Sequence, residues 1–188
     1  FPFIYRTHKK YIKSYLLFDK KIFIHRNPLD TLISSYYFYR NRNIPFSDEK
    51  KEIRNKMLDI NFYVKIKIDE WIDFYYTSIK YADIVINYSD LKNHPEIELT
   101  RIINFLNGEY NRDFIVKSIH SSSFENINLM ASEYSQEYGN GPKDGSFYGK
   151  FTRSGVEGQF NNELSTETIN FVLKKFKDFK NIYPDLID

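Results

Sequence analysis

The twenty residues from Lys20 to Tyr39, KKIFIHRNPLDTLISSYYFY, leave this chain little choice of local structure. Lys21 to His25 is a β-rich run, whose branched and aromatic side chains suit a pleated, half-buried strand. Arg26 and Asn27 close it. Pro28 then has the fixed φ of a first helical residue, and Asn27 stands before it as cap. The helix is expected to run to about Arg40, with Asp30 in its first turn, where the helix dipole favours negative charge. The segment therefore reads as strand, tight turn, helix.

The rest of the chain extends that alternation. Phe1 to Tyr5 suits a short buried strand, with the polar Arg6, Thr7 and His8 just past it. Ile60, Val64, Ile68, Trp71, Ile72, Tyr75 and Ile79 recur at helical spacing and predict one long amphipathic helix. Asp83 to Asn87 (DIVIN) reads as another strand. Pro95 opens a helix with the stripe Leu99, Ile102, Ile103 and Leu106, and Gly108 is expected to stop it. A short helix follows near Asp113 to Ile119, and Ile169, Val172, Leu173 and Phe176 mark a last one. Six of the seven glycines fall between Ser121 and Gly158, which predicts a long surface loop there. Strands alternating with helices predict an α/β fold with a mostly parallel sheet and a ligand site at the carboxyl ends of its strands.

Composition narrows the chemistry. The 188 residues suit one domain, and 27 Lys and Arg against 25 Asp and Glu give a net charge of only +2. That balance gives no case for a nucleic-acid partner, so any anion site must be local. The absence of cysteine excludes disulfides, thiolate metal sites and cysteine nucleophiles. It fits a reducing compartment, and the expected address is cytoplasmic. No apolar run nears the roughly 20 residues that span a bilayer, so no transmembrane segment is expected. The chain opens on Phe1, and we expect its N-terminus to be incomplete.

Arg26 carries the first chemical suggestion. A strand end that delivers a guanidinium directly before a helix N-terminus sets a cation beside unpaired backbone N–H groups, an arrangement that binds phosphate. Ser34, two turns on, adds a hydroxyl. A plainer reading explains the same residues: Arg26 pairs with a neighbouring carboxylate, and Ser34 lets two helices approach.

The segment also resembles the 3′-phosphate-binding motif of sulfotransferases that use 3′-phosphoadenosine 5′-phosphosulfate (PAPS). Arg26, Asn27, Pro28, Asp30, Ser34, Tyr36 and Tyr37 match its pattern. Three further stretches resemble that family in order. Arg6-Thr7-His8 is similar to its Lys-Thr-His segment, Tyr88-Ser89-Asp90-Leu91 to its Tyr-Glu-Asp-Leu segment, and Ser122-Ser123-Phe124 to its Thr/Ser-Ser-Phe segment. Last, Phe151 to Phe160 (FTRSGVEGQF) resembles the late Arg-Lys-Gly-x-x-Gly-x-Trp loop.

The resemblance implies a P-loop-NTPase-like three-layer fold, with a mostly parallel central sheet flanked by helices, as a single domain over residues 1–188. It implies that His8 is the general base, that Arg26 and Ser34 hold the 3′-phosphate, and that Arg153, Ser154 and the Gly155 backbone reach that phosphate from the opposite side. Tyr88, Ser122 and Phe124 would line the adenosine pocket. PAPS is the implied donor, with no metal, and the acceptor is a small molecule or glycan bearing a hydroxyl or amine. Ser154 stands where the family has Lys, Phe160 where it has Trp, and Asn161 where the dimerisation motif of cytosolic members has Lys. The family's phosphosulfate loop, which precedes the His segment, is not in this sequence. The competing functions are a non-catalytic nucleotide-binding protein on the same fold and a P-loop kinase-like phosphoryl transferase.

Overall fold

The structure, a computed structural model, describes residues 18–41, 51–138 and 155–176. The expected strand over Phe1 to Tyr5 lies outside them. The described elements are, in chain order, β1 (Ile22–His25), α1 (Pro28–Asn41), α2 (Lys51–Lys56), α3 (Ile60–Tyr81), β2 (Ile84–Asn87), α4 (Tyr88–Asn93), α5 (Pro95–Phe105), α6 (Arg112–Ser121), α7 (Phe124–Tyr138), α8 (Phe160–Glu163) and α9 (Thr166–Lys175). The described residues thus form a mostly helical α/β structure with a small parallel sheet. Two compact units divide these elements: residues 18–25 with 69–109, and residues 26–41, 51–68, 110–138 and 155–176.

In the first unit β1 and β2 run parallel, from Ile22 opposite Ile84 to His25 opposite Asn87. Lys21 and Asp83 pin that register. The Lys21 N–H donates to the Asp83 carboxylate at 2.7 Å, its ammonium lies 3.0 Å from the same oxygen, and the Asp83 N–H returns to the Lys21 carbonyl at 2.9 Å. Alternation along β1 sends Phe23 and His25 to one face. There Tyr75 of α3 meets both edge-on, with ring centroids 5.6 and 6.1 Å away, and Trp71 stacks on Tyr75 at 4.9 Å.

α4 starts without a loop because Asn87 ends the strand and caps the helix, its side-chain oxygen accepting the Ser89 N–H at 2.8 Å. α5 stops earlier than its apolar stripe suggested. Asn107, at φ 58°, takes the left-handed turn assigned to Gly108, whose N–H returns to the Ile103 carbonyl at 2.9 Å. Lys20 donates to the Phe105 carbonyl at 2.6 Å, placing a cation at the negative end of that helix.

The second unit is built on α1 and the first turns of α3. Asn27 caps α1 as expected, accepting the Leu29 N–H at 2.9 Å on its side chain and the Thr31 N–H at 2.9 Å on its carbonyl. The buried face of α1 is Leu29, Leu32, Ile33 and Tyr36, at helical spacing. Tyr36 donates its hydroxyl to the Leu58 carbonyl at 2.7 Å, and Ser35 pairs with the Tyr63 hydroxyl at 2.8 Å. Tyr36 is therefore a core residue. Asp59 caps α3 through the Phe62 N–H at 2.9 Å, and Val64 and Ile68 behind it are fully buried. α9 docks on the same turns. Ser165 caps it by accepting the Thr168 N–H at 3.2 Å, while the Ser165 N–H donates to Asn61 at 2.8 Å.

One expectation is overturned. The stretch from Ser121 to Gly158 is not one long loop, because α7 occupies Phe124–Tyr138. Ser123 accepts the Asn126 N–H at 3.2 Å and so starts that helix, and no glycine or proline interrupts it before Gly139. The glycines mark only the part beyond Tyr138.

His25, buried at the end of β1, has its pKa held below the ordinary 6.5 by burial, with the Asp90 carboxylate opposing that shift. A depressed histidine pKa means that the unfolded chain takes the proton first. Its contribution to stability is thus complete above about pH 6.5 and lost as pH falls toward the folded value. Urea unfolding is expected to show the wild type losing more stability than His25→Gln between about pH 7.5 and about pH 5.5. Parallel curves for the two proteins would contradict this account.

Candidate functional site

Arg26 follows β1 directly in the chain and precedes the first turn of α1. Its side chain is 25% exposed and its Nε is buried, so the guanidinium is partly sunk into its unit. Below it, in the same first turn, Asp30 is buried, with its side chain only 2% exposed. A carboxylate taken that far from water requires hydrogen-bonding or charged partners.

Those partners come from the far end of the sequence. The Gly158 N–H donates to Asp30 Oδ2 at 2.8 Å, across 128 residues. Arg26 Nη2 lies 3.9 Å from that oxygen and donates to the Val156 carbonyl at 3.3 Å, across 130 residues. Gln159 donates to the Val156 carbonyl as well, at 2.9 Å. The segment from Gly155 to Gln159 is thereby held against the N-terminal turn of α1.

Two backbone positions make this approach possible. Gly155 and Gly158 have φ of 64° and 73°, in the left-handed region that side chains disfavour. At Gly155 there is a second reason. A Cβ placed there would lie 2.9 Å from Cδ2 of Phe124 and 3.0 Å from its Cε2, closer than real contacts allow. Phe124 is the first residue of α7, and its ring is the surface on which the late loop rests.

The arrangement places a partly exposed guanidinium, a helix N-terminus and a glycine-bearing loop in one place. Such a set suits a phosphate ester, because charge and backbone N–H dipoles favour the same ligand. Of the sequence-predicted residues, Arg26, Phe124 and Gly155 are brought together through this loop. Ser34 is exposed on α1. Ser122 caps α6 and donates its hydroxyl to the Ser118 carbonyl at 2.7 Å. Tyr88, half-buried, opens α4 in the other unit. His8, Arg153 and Ser154 lie outside the described residues. Arg26 faces the Asp30 carboxylate, as the plainer reading expects, and also reaches the late loop.

A family model described as the sulfotransferase domain matches residues 2–182. The chain belongs to the sulfotransferase family. PAPS is the usual donor of that family. The chain is similar to Sulfotransferase 1 family member D1 of Mus musculus, at 24% identity over 171 residues, covering 87% of this chain and 53% of the relative. It is similar to Sulfotransferase 1B1 of Canis lupus familiaris, at 24% over 162 residues, 83% of this chain and 54% of the relative. A third relative is the Amine sulfotransferase of Oryctolagus cuniculus, at 23% over 154 residues, 79% and 50%. The chain spans about half the length of the curated relatives it matches. No solved structure matches it.

Against the sulfotransferase pattern, Phe160 replaces a tryptophan and is 7% exposed, opening α8 in the core of the second unit. An aromatic ring is kept, with less bulk. Asn161 beside it is exposed. Among the described residues, no group of three or more His, Cys, Asp or Glu is placed to hold a metal, and no helix is long and apolar enough to cross a membrane.

Sequence reasoning gave Asp30 a place in the helix dipole and in the matched motif, but no partner. Its contact with Gly158 was not readable, because no local pattern announces a partner 128 positions away. The glycines were the only hint: a loop residue at positive φ often marks a close approach of backbone to something else.

Gly155→Ala is expected to cost about 1 to 3 kcal/mol, from left-handed strain together with collision with Phe124. In a double-mutant cycle, Phe124→Ala should relieve the collision part and give a coupling of about 0.5 kcal/mol or more. Strict additivity in thermal unfolding would show that the ring does not constrain the loop.

Proposed function

We propose that this chain carries the donor-binding and proton-removing part of an enzyme that moves a sulfuryl group from PAPS to a hydroxyl or amine acceptor. The observation that carries the reading is the meeting of Arg26 with Val156 at the N-terminal turn of α1, three positions from Arg153 in sequence. Family membership over residues 2–182 supports it. We read both units as one sulfotransferase domain with the P-loop-like three-layer architecture common to that family.

The residues present fit the donor. The 3′-phosphate of PAPS is a compact dianion, and Arg26 with the N–H groups at the start of α1 would hold it on one side. Arg153, Ser154 and the Gly155 backbone would hold it on the other. A left-handed glycine with no side chain lets backbone come close to such a ligand. Ser34 would add a hydroxyl from α1, and Phe124 and Ser122 would contact the adenosine. When bound, PAPS supplies the sulfuryl group and a nucleotide leaving group. The chain's own task is to fix the donor and to take the acceptor proton.

We assign that proton to His8, whose imidazole nitrogen can take it as general base. In-line transfer needs both partners held in near-attack geometry, so the nucleotide grip contributes by positioning as well as by affinity. The chemistry requires no metal in principle. An acceptor with a hydroxyl or amine, whether small molecule or glycan, meets the requirement for a removable proton on the attacking atom. A kinase-like activity would call for a Gly-rich Walker loop and acidic Mg²⁺ ligands, and the family match favours the sulfuryl reading.

Titration calorimetry with 3′,5′-bisphosphoadenosine tests the grip. Arg26→Ala should weaken binding by about 1.5 to 3 kcal/mol, the worth of a charge-assisted hydrogen bond. The same change should alter 5′-AMP binding much less. Equal affinity of variant and wild type for the bisphosphate would remove the phosphate role. In the full-length enzyme, His8→Ala should abolish transfer while leaving bisphosphate affinity within about threefold. Near-normal turnover of that variant would end its assignment as base.

A further inference from the structure

Asp30 is a buried acid that the proposed chemistry does not use. A carboxylate beside a phosphate site is an unexpected neighbour, because it opposes the charge the site must bind. Its geometry gives a reason for its presence. Oδ2 accepts the Gly158 N–H at 2.8 Å and faces the Arg26 guanidinium at 3.9 Å, while Arg26 reaches across to the Val156 carbonyl at 3.3 Å. Asp30 therefore touches both halves of the candidate site at one atom, one half from the start of α1 and one from the late loop. Its other oxygen, Oδ1, is buried with no hydrogen-bond partner among the described residues. The carboxylate is fixed by the contacts at Oδ2, not by a wider network.

The surroundings make that contact consequential. Gly158 sits at φ 73°, a turn whose orientation is set by what its N–H is bonded to. Two residues back, Val156 is 56% exposed and offers little burial to hold the loop. Beyond Gly158, Phe160 is anchored in the core, so the loop has a firm C-terminal end, and before it the loop is held by the Phe124 ring at Gly155 and by polar contacts at Val156 and Gly158. Asp30, together with the Arg26 contact to Val156, joins those residues to the first turn of α1.

We propose that Asp30 is a positioning residue of the donor site: by accepting the Gly158 N–H it holds the late loop on the N-terminal turn of α1, so that the loop backbone and the Arg26 guanidinium face one phosphate. This rests on the donor reading given above. The negative charge itself is dispensable on this account, and what matters is an acceptor of the right length at position 30. Asp30 touches no reacting atom and acts only through Gly158 and Arg26.

Charge and geometry separate cleanly by substitution. Asp30→Asn keeps an acceptor oxygen for Gly158 and removes the charge, whereas Asp30→Ala removes both. Asp30→Leu removes the acceptor but keeps bulk, and serves where the alanine variant does not fold. Two measurements on the chain distinguish the outcomes. Hydrogen exchange at the Gly158 amide reads loop anchoring with no ligand present, and the ratio of affinities for 3′,5′-bisphosphoadenosine and 5′-AMP reads recognition of the 3′-phosphate.

The wild type should prefer the bisphosphate. Asp30→Ala and Asp30→Leu should exchange the Gly158 amide at least about tenfold faster and lose about tenfold of that preference, as expected for loss of one buried hydrogen bond. Asp30→Asn should restore both quantities to within about threefold of wild type. If the wild type shows no preference, the donor reading fails and this proposal falls with it. If the wild type discriminates and the alanine and leucine variants discriminate equally, the donor reading stands and the role of Asp30 is refuted. Loss of the preference in the asparagine variant, with its amide still protected, would also refute it, because charge and not anchoring would then be the operative property.

Discussion

A backbone N–H at one end of the chain and a buried carboxylate near the other hold the candidate site together. The 2.8 Å contact between Gly158 and Asp30 is the point where two remote segments of sequence become neighbours. Local structure on both sides prepares it. Asn27 and Pro28 start α1 so that Asp30 falls in its first turn, and the left-handed turns at Gly155 and Gly158 aim the loop at that turn. Neither segment alone makes a site. Arg26 without the loop is a cation at a helix start, and the loop without α1 is a pair of glycine turns.

The aromatic content of the chain finds a structural explanation in the same frame. Tyr36, Tyr63 and Tyr75 are buried, and the first two direct their hydroxyls to the Leu58 carbonyl and to Ser35. Tyrosine thus serves as core with a polar tip, which satisfies helix surfaces that carry serine and backbone carbonyls near the interior. Phe124 does something different. It is half exposed, and it shapes a loop by filling the space that a side chain at position 155 would need.

Much of this was legible in the residues. The strand before Arg26, the cap at Asn27, the long helix from Ile60 and the strand ending at Asn87 all follow from local patterns, and each is present. The ordered motifs pointed to the sulfotransferase family, to which the chain belongs. What stayed hidden has physical causes. α7 was masked by reading the serines and glycines of residues 121–158 as one composition, although the glycines begin only after Tyr138. Asn107 took the turn expected of Gly108, since either residue tolerates left-handed φ. The hydrogen bond from Gly158 to Asp30 was invisible because a bond to a backbone N–H leaves no mark on the identity of its partner.

The most direct test is a crystal structure of the chain with 3′,5′-bisphosphoadenosine bound. The account predicts the 3′-phosphate between the Arg26 guanidinium and the Gly155–Gly158 backbone, with the Arg153 side chain reaching it from the loop. A nucleotide bound elsewhere, or a 3′-phosphate turned to solvent while Arg26 keeps only its contacts with Asp30 and Val156, would contradict it.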